Sequence, residues 1–289
     1  GEMKRLGNLV NQCRFLRAKD DYEQSRVVIV GAPLDQTTSF RPGTRMAPKR
    51  IRELSYGLED YSPYLDDSLN NRVFHDAGDI EMPLGNLHKS LSLIEKVAGN
   101  IVEDGKVPFF IGGEHLITYP IVKQVATRYP QLKVVHFDAH ADLRDSFFGE
   151  KLSHATVLRR VCECIKDRHL YQFGIRSGVK EEFDFAKDHA KTFLYDVRDS
   201  FMSVFEELKG FPIYVTFDID VLDPAFAPGT GTPEPGGCTS KEVFEIIQRF
   251  KELDIVGFDL VEVSPITDLS ERTSLLAAKI IREVLLCIK

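Results

Sequence analysis

The sequence predicts an α/β fold built on a mainly parallel sheet. Three observations carry this. Eight short apolar runs recur along the chain, amphipathic helical stretches lie between them, and carboxylates and histidines gather just after several of the runs. Strands buried on both faces read as near-continuous apolar runs, not as strict alternation. Repeated strand and helix imply parallel pairing with crossover helices on the faces. An open sheet and a closed barrel both satisfy the pattern, and in either one ligands bind at the carboxyl ends of the strands.

The runs are residues 26–30, 73–75, 107–111, 132–137, 170–173, 192–195, 211–217 and 255–261. Between them, Leu91, Ile94, Ala98 and Ile101 keep helical spacing, and Gly105 is a natural stop because glycine tolerates the left-handed conformation that ends a helix. Thr239 followed by Glu242 fits a capping box ahead of Val243, Phe244, Ile247 and Phe250. A last helix starts near Ser270, with Leu276, Ile280 and Val284 in register. No repeat or linker interrupts residues 1–289, so one domain is expected.

The 289 residues are 43% apolar and 28% charged, as in an ordinary soluble enzyme. A formal charge of -7 disfavours nucleic acid and anionic membrane as partners and mildly attracts cations. No run approaches 18 apolar residues and the polar first 26 residues hold no signal-peptide core, so a cytoplasmic protein is expected. Cys13, Cys162, Cys164, Cys238 and Cys287 are odd in number and scattered, which reads as free thiols. Cys162 and Cys164 would point to different faces of a helix, which argues against a zinc site.

The chemistry concentrates after three runs. Residues 134–145 read VVHFDAHADLRD, and Asp138, His140 and Asp142 share one face if the chain stays extended. Residues 214–224 read YVTFDIDVLDP, which brings Asp218 and Asp220 out of a buried strand together. Two ionised carboxylates side by side are costly to bury without a cation. Asp223, before Pro224, reads as a turn former. Residues 109–120 read FFIGGEHLITYP, with a glycine turn that delivers Glu114 and His115 to the same sheet edge. Four aspartates and two histidines exceed the needs of one ion and suit a pair about 3.5–4 Å apart. Oxygen and imidazole donors without thiolate favour manganese over structural zinc. His136 reads as a buried hydrogen-bonding residue, and Asp259 as structural or supporting. His154 is either a loop residue or an acid able to protonate a leaving amine, and Glu262 could bind a cationic substrate.

These residues resemble the ureohydrolases, the arginase–agmatinase family. GGEH (112–115), DAHAD (138–142), SHAT (153–156), DIDVLDPAFAPGTGTPEPGG (218–237) and VEVSP (261–265) occur in that family's order, and SFRPGTRMAPKRIRE (39–53) resembles its early loop and helix. The resemblance covers nearly everything after Val27. It implies a three-layer α/β/α fold with an eight-stranded mainly parallel sheet, which favours the open form over the barrel. It implies two Mn2+ per chain, held by His115, Asp138, His140, Asp142, Asp218 and Asp220, with two of the aspartates bridging. It gives His154 the family's proton-shuttling role and Glu262 that of binding guanidinium. It also implies a homo-oligomer, a trimer or hexamer.

GTGTPEPGG and DLRD look most like the bacterial agmatinase branch, and arginases usually carry asparagine where Arg144 stands. The expected reaction is therefore hydrolysis of agmatine to putrescine and urea, a step of polyamine biosynthesis, by a hydroxide that bridges the metals. Another guanidino substrate, as in a guanidinobutyrase, arginase or formiminoglutamase, is the nearest rival. A deacetylase would need a His-His pair that is absent, and an inactive metal-binding assembly protein would not need His154. Arg144 is expected to turn aside and pair with Asp145 or Glu150. Glu114 stands where GGDH is common, a change expected to leave His115 unaffected.

Overall fold

The computed structural model describes Leu6, Leu9–Val10 and residues 13–38 and 40–289. Apart from a small two-stranded sheet that pairs Tyr61–Ser62 with Asp67–Ser68, its strands are β1 (Leu9–Val10), β2 (Val27–Ala32), β3 (Phe74–Ile80), β4 (Val107–Gly112), β5 (Lys133–Phe137), β6 (Leu170–Ile175), β7 (Ala190–Leu194), β8 (Pro212–Asp218) and β9 (Asp254–Val261). They form one open sheet in the order β1-β3-β2-β4-β9-β8-β5-β6-β7. All eight expected strands are present and pair in parallel. Among the described residues the sheet has nine strands, not eight, because β1 adds an antiparallel edge, Leu9 opposite Ile80 and Val10 opposite Asp79. A two-residue strand in a polar stretch is too short to show a period.

The helices are α1 (Ala47–Ser55), α2 (Leu87–Glu103), α3 (Thr118–Arg128), α4 (Val157–Cys162), α5 (Lys180–His189), α6 (Arg198–Leu208), α7 (Ser240–Arg249) and α8 (Arg272–Cys287). One core joins Ile29, Phe109 and Phe258 of the sheet to α1, α6, α7 and α8. The other joins Val28, Phe110 and Tyr214 to α2, α3, α4 and α5. Neighbouring strand residues feed opposite cores, as the two-residue strand period requires. The result is the expected three-layer α/β/α arrangement.

Local chemistry sets the helix ends. Asn86 caps α2 by accepting from Lys89 N at 3.0 Å, and the chain leaves this helix through Gly105 at φ +75°. Thr239 accepts from Glu242 N at 3.2 Å, which is the N-cap half of the expected capping box without the reciprocal bond from the Glu242 side chain. The five cysteines are free, with Cys162 closing α4 and Cys164 beyond it. Among the described residues, no helix is long and apolar enough to cross a membrane.

One buried ion cluster ties α1 to the sheet. Arg52 is fully buried, and its guanidinium meets Asp76 at 2.9 and 3.0 Å and also Asp79. Removing one partner of a buried charge group strands the others, which costs about 3–5 kcal/mol. Arg52→Met is therefore expected to lower unfolding stability by that amount. Urea denaturation checks this, and an unchanged midpoint would show that the cluster is dispensable.

Candidate metal centre and active-site pocket

Four neighbouring central strands, β4, β9, β8 and β5, end at one edge of the sheet and deliver the site. After β4 the chain turns through Gly113, φ +31°, where a Cβ would lie 2.4 Å from Ala32 O. That turn presents Glu114 and then His115, which opens a short 3-10 turn before α3. Asp138 follows β5, Asp218 ends β8, and Glu262 follows β9.

Two groups of ligand-type side chains result. His115, Asp138 and Asp142 lie in one, with His136 beside them, and Asp138, His140 and Asp220 form the other. Asp138 belongs to both. His115 Nδ1 lies 3.1 Å from Asp138 Oδ2, 3.1 Å from Asp142 Oδ2 and 3.4 Å from Asp218 Oδ2. His140 Nδ1 lies 2.9 Å from Asp220 Oδ2 and 3.5 Å from Asp138 Oδ1. All six expected ligand residues thus meet.

The alternation argument explains only part of this convergence. Asp138 and His140 do fall in one group, but His140 N turns back onto Asp138 Oδ1 at 2.7 Å and Asp142 adopts φ +52°. Its carboxylate turns toward His115, while His140 faces Asp220. Asp220 likewise leaves the strand in a tight turn, with its N–H on Asp218 Oδ1 at 2.9 Å.

Hydrogen bonds define what each imidazole offers. Thr216 Oγ1 donates to Asp259 Oδ1 at 2.7 Å, so toward His115 Nε2, 2.8 Å away, it accepts. That places the proton on Nε2 and aims the Nδ1 lone pair at three carboxylates. Nδ1 is buried and makes no hydrogen bond. A lone pair among carboxylates is the arrangement a cation fits. His136 is the opposite case. Gln172 Nε2 donates to Ala141 O at 2.8 Å and to His136 Nδ1 at 3.1 Å, which leaves His136 Nε2–H to donate to Asp138 Oδ2 at 2.8 Å. His136 steadies a carboxylate and has no lone pair for an ion, as its strand position led us to expect. Asp259 accepts from Thr118, Thr216 and Tyr214 hydroxyls, a supporting role.

The electrostatics ask for positive charge. Burial, then the charge of Asp138, holds Asp142, Asp218 and Asp220 above the ordinary carboxylate value. Burial disfavours the His115 imidazolium, yet the surrounding carboxylates of Asp138, Asp142 and Asp218 outweigh it and raise the group well above its ordinary value. Burial and the nearby charge of Glu114 push Glu262 up to about 8, against the hydrogen bond that its Oε1 accepts from His115 N at 2.7 Å. The residues present fit a dinuclear metal site built from carboxylate and imidazole donors.

A cavity of about 250 Å³ opens onto these groups. His154 and Glu262 line it, as do Arg144, Phe147, Ser177, Glu182 and Thr232. Burial lowers His154 to about 4, with the charge of His140 adding to the effect. Arg144 does not turn aside to Asp145 or Glu150. Its guanidinium lies over the Phe147 ring at 5.4 Å, with Nε 4.0 Å from Glu182 Oε2, while Asp145 pairs with Arg160 at 2.6 Å. Arg160 reaches Asp145 from α4, one helix away, and leaves Arg144 on the pocket wall. Glu182 on the wall, and Thr37, whose Oγ1 accepts from His154 N at 3.1 Å, escaped the sequence reading, since both come from segments with no ligand motif.

The arginase family model matches residues 25–287. The agmatinase of Bacillus anthracis is 50% identical over 275 residues, which cover 94% of this chain and 95% of that one. The guanidinobutyrase of Pseudomonas aeruginosa is 37% identical, covering 98% and 93%. The structure of the agmatine ureohydrolase of Thermoplasma volcanium is 34% identical with a TM-score of 0.87, covering 96% of this chain and 94% of that one. The chain belongs to the arginase family.

A ligand that binds only the folded state adds about 2.7 kcal/mol per site at a hundred times its Kd. Chelation should therefore lower the melting temperature and Mn2+ should restore it. Asp138→Ala, which touches both groups, is expected to abolish the whole metal-dependent shift, and Asp142→Ala only part of it. Equal shifts in both variants would contradict two groups joined at Asp138.

Proposed function

We propose that the protein is an agmatinase that hydrolyses agmatine to putrescine and urea with two manganese ions, held by His115, Asp138, His140, Asp142, Asp218 and Asp220. The observation that carries this reading is the pair of ligand groups sharing Asp138 and opening on a cavity walled by His154 and Glu262. Half-identity to a bacterial agmatinase supports the substrate. When bound, the ions would acidify water near neutral pH and so supply the nucleophile.

The chain's own groups do the rest. Glu262 binds the guanidinium through a charge-assisted contact. An arriving cation favours its ionised form and draws it down from about 8. His154 is neutral through the physiological range, because burial holds it at about 4. It acts as a proton carrier, taking a proton from the nucleophile's side and delivering it to the leaving amine. This differs from a standing acid, which would need an imidazolium at neutral pH. Phe147, 5.8 Å from the His154 ring, shields one side of it from water.

The far end of the substrate decides between agmatine and a guanidino acid. Arg144 on the wall favours a carboxylate, and a guanidinobutyrase is among the relatives. Glu182, also on the wall and 4.0 Å from Arg144, offsets that charge and favours agmatine's ammonium. The same reading makes the protein a cytoplasmic homo-oligomer, a trimer or hexamer, in which residues 1–289 work as one ureohydrolase domain.

Urea release from agmatine, arginine and 4-guanidinobutyrate at equal concentration, with Mn2+, tests the substrate. Agmatine is expected to lead by a wide margin. Preference for guanidinobutyrate that Arg144→Ala reverses would reassign the pocket, and preference for arginine would reject the reading. His154→Ala is expected to lose roughly 10²-fold or more in turnover, the usual share of general acid–base catalysis, while retaining both metals. In the intact enzyme, protonation of His154 should cut turnover only as pH falls toward about 4. Full activity of His154→Ala near pH 7 would reduce His154 to a loop residue.

A further inference from the structure

We propose that Thr37 and Glu114 are a positioning pair that fixes which nitrogen of His154 carries the proton, an inference that rests on the proton-carrier reading of His154 above. Glu114 is fully buried in the turn after β4. Its Oε2 accepts from Gln36 N at 2.6 Å and Thr37 N at 2.8 Å. Its Oε1 accepts the Thr37 hydroxyl. A hydroxyl has one proton to give. With that proton committed to Glu114, Thr37 Oγ1 can only accept from any other partner.

It has two such partners, both in His154. His154 N donates to Thr37 Oγ1 at 3.1 Å, and His154 Nδ1 lies 3.3 Å from the same oxygen. The backbone contact anchors the residue and the ring contact demands Nδ1–H. In a neutral imidazole the other nitrogen, Nε2, then holds the lone pair. Proton uptake and release accordingly occur at Nε2.

The chain that sets this begins at a residue adjacent to His115. The turn that places a ligand of the metal centre therefore also sets the tautomer of the proton carrier. Glu114, which the sequence offered only as a conservative replacement in GGDH, reaches His154 through one hydroxyl. Neither Thr37 nor Glu114 needs to touch the substrate.

Neutron diffraction on the deuterated holoenzyme tests the assignment directly. The expected deuteron on His154 lies on Nδ1. In Glu114→Gln the amide oxygen must still accept from Gln36 N and Thr37 N, so its NH2 faces Thr37 Oγ1. The hydroxyl then donates to His154, and the deuteron should move to Nε2. Turnover should fall at least about tenfold, with KM for agmatine within twofold and metal content unchanged, because a misplaced tautomer disables proton transfer but not binding. Thr37→Val should show the same kcat-selective loss, and Thr37→Ser should recover most of it. Should Glu114→Gln lose its cooperative thermal transition, the Val and Ser pair decides alone. A deuteron on Nε2 in the unaltered enzyme, or full turnover in Thr37→Val, would overturn the proposal. Full turnover in His154→Ala would instead overturn the proton-carrier reading, and the neutron result would still decide the tautomer.

Discussion

Like charges held out of water govern this architecture. Asp138, Asp142, Asp218 and Asp220 are all buried and lie within reach of two histidines at one edge of the sheet. Ionised together they carry four negative charges, and two divalent cations carry four positive ones. The sum vanishes with His115 and His140 neutral. Glu262 remains as a further carboxylate on the pocket wall, outside both groups. Topology makes the convergence possible. Four parallel neighbours, β4, β9, β8 and β5, all point their carboxyl ends the same way, although the chain visits them in a different order.

Around that centre, buried polar groups act through single contacts. Asp259 gathers three hydroxyls, and through Thr216 it sets the proton of His115. Gln172 does the same for His136, which then holds Asp138. Unpaired groups in such a place would cost more than the networks contribute, so the donors and acceptors of these networks are committed, with His115 Nδ1 the exception. The commitments leave His115 Nδ1 open toward the carboxylates and close His136 to any ion.

The sequence made the strands and ligand residues legible, because buried parallel strands are apolar runs and ligands must follow them. Alternation correctly grouped Asp138 with His140. It could not show how Asp142 turns, since φ is not written in a side-chain pattern. The edge strand at Leu9–Val10 was invisible for want of length. The partner of Arg144 was misread for a different reason. Sequence proximity pointed to Asp145, but α4 supplies Arg160 to Asp145 and α5 brings Glu182 to Arg144 from 38 positions away. The link from Glu114 to His154 passes through Thr37, a residue with no ligand chemistry of its own, and only packing reveals it.

The left-handed turn at Asp142 is what separates two groups of ligand-type side chains from one. Had the chain stayed extended, Asp138, His140 and Asp142 would share a face and crowd toward Asp220. At φ +52° the Asp142 carboxylate swings to His115 instead, and the three residues divide between the groups with Asp138 as the link. A non-glycine residue in that conformation costs roughly 1–2 kcal/mol. The backbone is held there by α4, whose Leu158 and Arg159 N–H groups both donate to Asp142 O, at 3.0 and 3.3 Å. Those are donors that a helix start leaves without partners in its own coil. Glu262 shows the same solution at φ +71°, with its N–H on Gly113 O at 2.9 Å. Strain in this fold therefore sits where a side chain must leave the direction its strand dictates, and hydrogen bonds from neighbouring elements hold it in place.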